Sequence, residues 1–313
     1  MTGSDDPRNE VTAPDPPRTG HEDARLTVKS ATIGYDTRII SERLSVTIPD
    51  GSFTAIIGPN GCGKSTLLRA LARVITPHDG SVLLDGKEIS TYRSKEVARR
   101  LGLLPQTSLA PDGIRVAELV GRGRAPYQNL IQQWRASDED TVAAALAATR
   151  LTELSGHLVD ELSGGQRQRV WVAMLLAQDT PIMLLDEPTT FLDIAHQYEL
   201  MELFRTFHEE GKTIVTVLHD LNQAARYADH LIVMRDGRVV TTGTPAEVIT
   251  PALVREVFGL HALVYPDPVT GTPAVVPLDP RATAVHPVEP ASHHEPTAQS
   301  TRQNASQHTE RTR

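Results

Sequence analysis

The sequence predicts an α/β chain: a mostly parallel, buried sheet, an antiparallel β portion at one side, and a helical insertion. Three observations carry this. Four short runs, Phe53 to Ile57, Leu101 to Leu104, Ile182 to Leu185 and Ile214 to Leu218, are almost continuously apolar, as strands buried on both faces are. Leu26-Thr27-Val28 and Leu44-Ser45-Val46-Thr47-Ile48 alternate apolar with polar residues instead, the mark of half-buried antiparallel strands. Helical stretches separate the apolar runs. One opens at Ser137, where Asp140 three residues on reads as a capping box ahead of Val142, Ala145 and Leu146 on one face.

In chain order, residues 1–24 carry Pro7, Pro14, Pro16 and Pro17 among acidic and small polar residues. They bury too little to offset their ordering entropy, which predicts a disordered tail. Residues 25–277 form the folded part, with the helical insertion at about 105–165, and a second tail of the same character spans 278–313. The histidines of that tail, His286, His293, His294 and His308, lack the Cys or carboxylate spacing of a metal site. Asp236-Gly237, between Leu231–Arg235 and Arg238–Thr242, predicts a tight hairpin, and Thr270-Gly271 a terminal one between Val264-Tyr265 and Ala274–Val276.

Composition removes several classes of function. Aromatics are only 4%, too few for a platform that stacks single-stranded bases. Thirty-nine acidic against 31 basic residues, a formal charge of -8, disfavour a chain that coats nucleic acid. A single cysteine, Cys62, can form neither an internal disulfide nor a zinc knuckle, which fits a cytosolic setting. The first residues have no basic region and no apolar core, unlike a secretory signal. The longest apolar run, Val170 to Ala177, is far short of the roughly 20 residues that span a bilayer.

The four apolar runs share one property. Each is followed at once by a residue of special chemistry: Gly58, Gln106 (after Pro105), Asp186 with Glu187, and His219. Open parallel sheets bind ligands beyond the carboxyl ends of their strands, so these groups are predicted to share one rim. The segment Gly58-Pro59-Asn60-Gly61-Cys62-Gly63-Lys64-Ser65-Thr66 fits the phosphate-binding pattern G-x-x-x-x-G-K-[ST]. Its glycines let backbone N–H groups close around an anion, and the helix starting near Lys64 aims its positive end at the same place. Lys64 is the candidate for the β- and γ-phosphates of ATP, and Ser65 for Mg²⁺. Asp186 is a further Mg²⁺ ligand, acting through water, and Glu187 the base that orients and deprotonates the attacking water. Cys62, inside the loop, predicts sensitivity to thiol reagents.

Leu162-Ser163-Gly164-Gly165-Gln166 precedes a helix with Val170, Trp171, Met174 and Leu175 on one apolar face. Ser163 suits an N-cap, and the two glycines leave backbone bare at a positive helix end, open to a second phosphate contact. This LSGGQ, between a phosphate loop and a strand ending in Asp-Glu, resembles the nucleotide-binding subunits of ATP-binding cassette (ABC) transporters over about residues 25 to 260.

The resemblance implies a P-loop ATPase core with an antiparallel β subdomain and a helical signature subdomain. It implies that Tyr35 stacks on adenine and that Gln106 senses Mg²⁺ and the attacking water while linking to the membrane partner. His219 would contact the γ-phosphate, and Phe191-Leu192-Asp193 would cross a dimer interface. Ser163, Gly164, Gly165 and Gln166 of one copy would face the phosphate loop of another, so that two chains sandwich two ATP molecules head to tail.

Thr189–Gln197, Val120–Gln128 and His219–Asp229 are similar to the group that energises uptake of iron(III)-siderophore complexes, haem and cobalamin. Siderophore import is the leading expectation, and haem and cobalamin import are the alternatives. The implied partners are a separate membrane permease, for which residues 120–128 are the implied dock, and a periplasmic or lipid-anchored substrate-binding protein. The implied location is peripheral, on the cytoplasmic face of the membrane. A cassette ATPase acting on nucleic acid or the ribosome is a further alternative, disfavoured by the lone cysteine, the single cassette and the acidic balance.

Overall fold

The computed structural model describes residues 24–107, 109–128, 134–190 and 192–279. The two predicted tails lie outside the described residues except for Ala24, Leu278 and Asp279, and so does Phe191. Strands β1 (Leu26–Tyr35), β2 (Arg38–Ile48) and β3 (Phe53–Ile57) lead into α1 (Lys64–Leu71). They are followed by β4 (Asp79–Leu84), the two-residue β5 (Lys87–Glu88), α2 (Ser94–Ala98) and β6 (Leu101–Leu104). Three helices come next: α3 (Val116–Gly121), α4 (Ala136–Ala148) and α5 (Gly164–Gln178). Then β7 (Ile182–Asp186), α6 (Ile194–Glu209), β8 (Thr213–Val217) and α7 (Leu221–Tyr227) return to the sheet. The last elements are β9 (His230–Arg235), β10 (Arg238–Gly243), α8 (Pro245–Val248), α9 (Pro251–Phe258), β11 (Ala262–Pro266) and β12 (Pro273–Pro277).

The central sheet has the order β10-β9-β3-β8-β7-β6. Its strands β9, β3, β8, β7 and β6 are parallel, and β10 closes the edge antiparallel to β9. The apolar runs are continuous because each strand supplies both faces in turn. Phe53, Ala55 and Ile57 of β3, with Met183 and Leu185 of β7, pack with Met201, Phe204 and Ala224 of α6 and α7. The intervening Ile56, Ile182 and Leu184 pack on the other face with Leu67, Leu68 and Leu71 of α1. That second core also takes Leu26, Val28, Val46 and Ile48, so α1 lies between the central sheet and the antiparallel sheet β2-β1-β4-β5. The mixed α/β fold predicted from the sequence is the one observed.

The Asp236-Gly237 turn joins β9 to β10 with both residues at positive φ, 49° and 74°, as a two-residue hairpin of primed type requires. Gly237 is needed twice over, since a Cβ there would sit 1.9 Å from the Ile40 carbonyl oxygen of β2. The terminal hairpin also forms, pairing Leu263 with Val276 and Val264 with Val275.

Two local expectations change. Helix α4 starts at Ala136, and its capping carboxylate is Asp138, which accepts from the Arg135 backbone N–H at 3.1 Å. Asp138 takes this position because its other oxygen is tied to Arg124 Nε at 2.8 Å in a buried pair, with Arg124 also donating to the Ala177 carbonyl. Asp138 therefore lies below the usual carboxylate range, first through that hydrogen bond. Helix α5, predicted to bury one face, is buried on two. Val170 and Ala173 join Val116, Leu119, Val142 and Leu146 in a third, helical core, while Val172 and Leu175 belong to the core of the central sheet. Among the described residues no helix is long and apolar enough to cross a membrane.

Candidate functional site

Parallel β3, β6, β7 and β8 end on one rim, and the loops beyond them bring Lys64, Ser65, Gln106, Glu187 and His219 around one open pocket of about 610 Å³. Tyr35, Asn60, Gly61, Gly63 and Thr66 complete most of its wall. The phosphate loop turns tightly at Gly58, with φ 153°, where a Cβ would stand 2.1 Å from the Met234 carbonyl oxygen. Gly63, at φ 102°, caps the N-terminus of α1. Lys64 is buried, and its ammonium donates to the Gly58 and Pro59 carbonyls at 2.8 and 3.0 Å. Those neutral acceptors leave its charge uncompensated, which an anionic phosphate would remedy.

Beneath the loop, Ser65 Oγ donates to Asp186 Oδ1 at 2.7 Å. The other carboxylate oxygen of Asp186 is buried with no hydrogen-bond partner, and Arg69 Nη2 lies 3.6 Å from it. Burial, the largest effect, pushes the Asp186 carboxyl above its usual range, against the Ser65 hydrogen bond and the Arg69 charge. An orphaned, desolvated carboxylate oxygen beside a serine hydroxyl is a fitting donor set for a hard cation such as Mg²⁺.

Glu187 adopts a left-handed backbone, φ 53°, a conformation that costs about 1–2 kcal/mol for an L-residue and collects at functional sites. The turn points its carboxylate along the rim. Gln106 Nε2 donates to Glu187 Oε2 at 2.7 Å, Thr190 Oγ1 donates to the same oxygen at 3.3 Å, and His219 Nε2 lies 2.5 Å from Glu187 Oε1. Three loops thus converge on one carboxylate.

Other predicted residues lie off this pocket. Ser163 caps α5, accepting from Gln166 N at 3.3 Å while its own N–H donates to Gln166 Oε1 at 3.0 Å. Neither they, nor Gly164 and Gly165, nor Asp193 line the pocket of their own chain. Asp193 caps α6, and hydrogen bonds from the backbone and ring of His196 hold its carboxyl below the usual range. Leu192 is buried nearby.

Cys62 requires a revision. It is 4% exposed, its side chain belongs to the core shared with α1, and burial raises its thiol pKa. Since the thiolate is the reactive form, N-ethylmaleimide near neutral pH is expected to label the native chain far more slowly than the urea-unfolded chain. Equal rates would put the thiol in solvent.

Two contributors escaped the sequence reading. Arg69 donates to the Tyr35 hydroxyl at 3.1 Å and approaches Asp186. The available signal was its position one turn after Ser65 on α1, on the same face. Thr190 had no comparable signal, because its role depends on the tight turn after Glu187.

The ABC transporter family model matches residues 41–190. The ferric enterobactin transport ATP-binding protein FepC of Escherichia coli (strain K12) is 57% identical over 256 residues, 82% of this chain and 94% of FepC. The probable siderophore transport system ATP-binding protein YusV of Bacillus subtilis (strain 168) is 51% identical over 253 residues, covering 80% of this chain and 92% of YusV. Among solved structures, the dimeric post-hydrolysis state of the ATP-binding cassette MJ0796 bound to ADP and Pi superposes with a TM-score of 0.63 at 28% identity, over 70% of this chain and 98% of that one. With a G-x-x-x-x-G-K-[ST] loop, Glu187 and His219 around one pocket, and relatives matched over nearly their whole length, this chain belongs to the ABC transporter family as an ATP-binding, ATP-hydrolysing subunit.

Proposed function

We propose that the protein powers import of iron(III)-siderophore complexes through a separate membrane permease. In this reading it is bound peripherally at the cytoplasmic face, and a periplasmic or lipid-anchored substrate-binding protein delivers the cargo. The cargo assignment is supported by the siderophore transport roles of the FepC and YusV relatives. Hydrolysis at this site is supported above all by the Glu187 carboxylate held between Gln106 and His219.

The loop N–H groups and Lys64 bind the phosphates of ATP, and Tyr35 packs on the base. Ser65, Asp186 and Gln106 would hold Mg²⁺, which when bound offsets the negative charge of the phosphates. Glu187 takes a proton from the attacking water. Gln106 and His219 hold its two oxygens in place, and His219 contacts the γ-phosphate. Because Ser163–Gln166 and Asp193 lie off the pocket of their own chain, they act on ATP held by a second copy in a head-to-tail dimer. No nucleic acid takes part in this reading, in keeping with the acidic charge balance of the sequence.

Uptake of radiolabelled ferric siderophore under iron limitation tests this. Deletion should abolish uptake, and restoration should follow from the wild-type chain but not from Glu187→Gln. Uptake unchanged by deletion would remove siderophores as the cargo, and haem or cobalamin uptake measured in the same strains would then identify the replacement.

A further inference from the structure

Gln223 is buried on α7, just beyond His219, and its Nε2 donates to Gln197 Oε1 at 2.9 Å. Gln197, half-buried on α6, donates through its own Nε2 to the Leu192 carbonyl, also at 2.9 Å. Two amides in series therefore join the helix following His219 to the turn that carries Asp193. The middle member must accept on one side and donate on the other. A primary amide does both; a carboxylate or an alkyl chain does not.

The relay is anchored at both ends. Asp220 caps α7, its Oδ1 accepting from Asn222 N at 2.7 Å and Gln223 N at 3.0 Å. Asn222 is clamped to β12, accepting from Val275 N at 2.7 Å and donating to the Val275 carbonyl at 3.3 Å. At the other end Asp193 caps α6, and the Gln197 backbone N–H closes the first helical turn on the Asp193 carbonyl. A shift of either helix must break or carry this chain of hydrogen bonds.

We propose that Gln197 and Gln223 are positioning residues that keep the Leu192–Asp193 turn in register with His219, so that hydrolysis in one pocket depends on the placement of Asp193. Neither lines the pocket, so both act through other groups. The inference rests on the roles given to His219 and Asp193 above.

Steady-state ATPase assays on the full chain test it, with Gln197→Glu, Gln197→Leu, Gln223→Leu, the double Leu variant and Glu187→Gln. Gln197→Glu keeps the size and the acceptor but loses the donor toward Leu192. It is expected to lower kcat about tenfold, with KM for ATP and the thermal midpoint close to wild type. The two Leu variants should fall as far singly as together, because one broken link opens the whole relay. Wild-type kcat for Gln197→Glu would overturn the proposal, as would single losses that multiply in the double variant. If the buried Gln223 tolerates no substitution, Gln197→Glu alone decides. Asp193→Ala and His219→Ala, assayed beside Glu187→Gln, separate the two readings: normal turnover in either defeats the role given to that residue, while the relay is still scored against wild type.

Discussion

Replacing Glu187 with Gln is expected to reduce ATP hydrolysis by about 10²- to 10⁴-fold, the usual contribution of a positioned general base, with nucleotide binding retained. The substitution preserves length and volume at a residue whose backbone is already committed to the left-handed region. It changes what the side chain offers its neighbours. Gln106 Nε2 and His219 Nε2 approach the two different carboxylate oxygens, and an amide presents only one oxygen, so one of these contacts becomes unfavourable or reorients. More important, the group loses its capacity to take a proton. Fluorescent-nucleotide titration beside a phosphate-release assay separates the two effects. Turnover within about twofold of wild type would end the assignment of Glu187 as base.

Asp186→Asn is the second large effect, and its two consequences run in opposite directions. Activity that depends on Mg²⁺ should collapse, because the buried oxygen left without a hydrogen-bond partner would no longer carry charge for the cation. The nucleotide-free chain should become more stable. Burial is the dominant influence on Asp186 and raises its pKa; an acid whose folded pKa is raised costs the folded state nothing while protonated and progressively more as pH climbs from the unfolded value through the shifted one. Above the shifted pKa that penalty is present in the wild type and absent in the amide. Thermal melts should show a higher midpoint for Asp186→Asn without nucleotide, and a smaller further gain on adding Mg²⁺ and ATP than the wild type shows. A lower midpoint in the nucleotide-free variant would mean that the Arg69 attraction outweighs burial.

Much of this site was legible in the sequence because it is written in local terms. A strand buried on both faces is apolar along nearly all its length, so its end is marked by a change of chemistry: Gly58, Gln106, Asp186 and His219 stand out against Ile57, Leu104, Leu185 and Leu218. Turn chemistry gave Asp236-Gly237 in the same way. What escaped depends on contacts between distant segments. The buried pairing of Arg124 with Asp138 displaced the expected cap at Ser137, and no spacing rule links residues that meet only once α4 packs against the turn at 122–127. The two-sided burial of α5 was hidden because its two apolar stripes merge into one run in the sequence. The Gln223–Gln197–Leu192 chain was hidden because a glutamine on a helix looks the same whether it meets solvent or another amide.

The double membership of α5 has a mechanical consequence. A helix buried in two cores at once is a shaft common to both: neither core can turn without loading it. Its near end also grips the rim that carries Glu187, through Gln168 Nε2 donating to the Pro188 carbonyl at 3.1 Å. A torque applied to the helical part of the molecule is therefore delivered, along one rigid rod, to the residue next to Glu187.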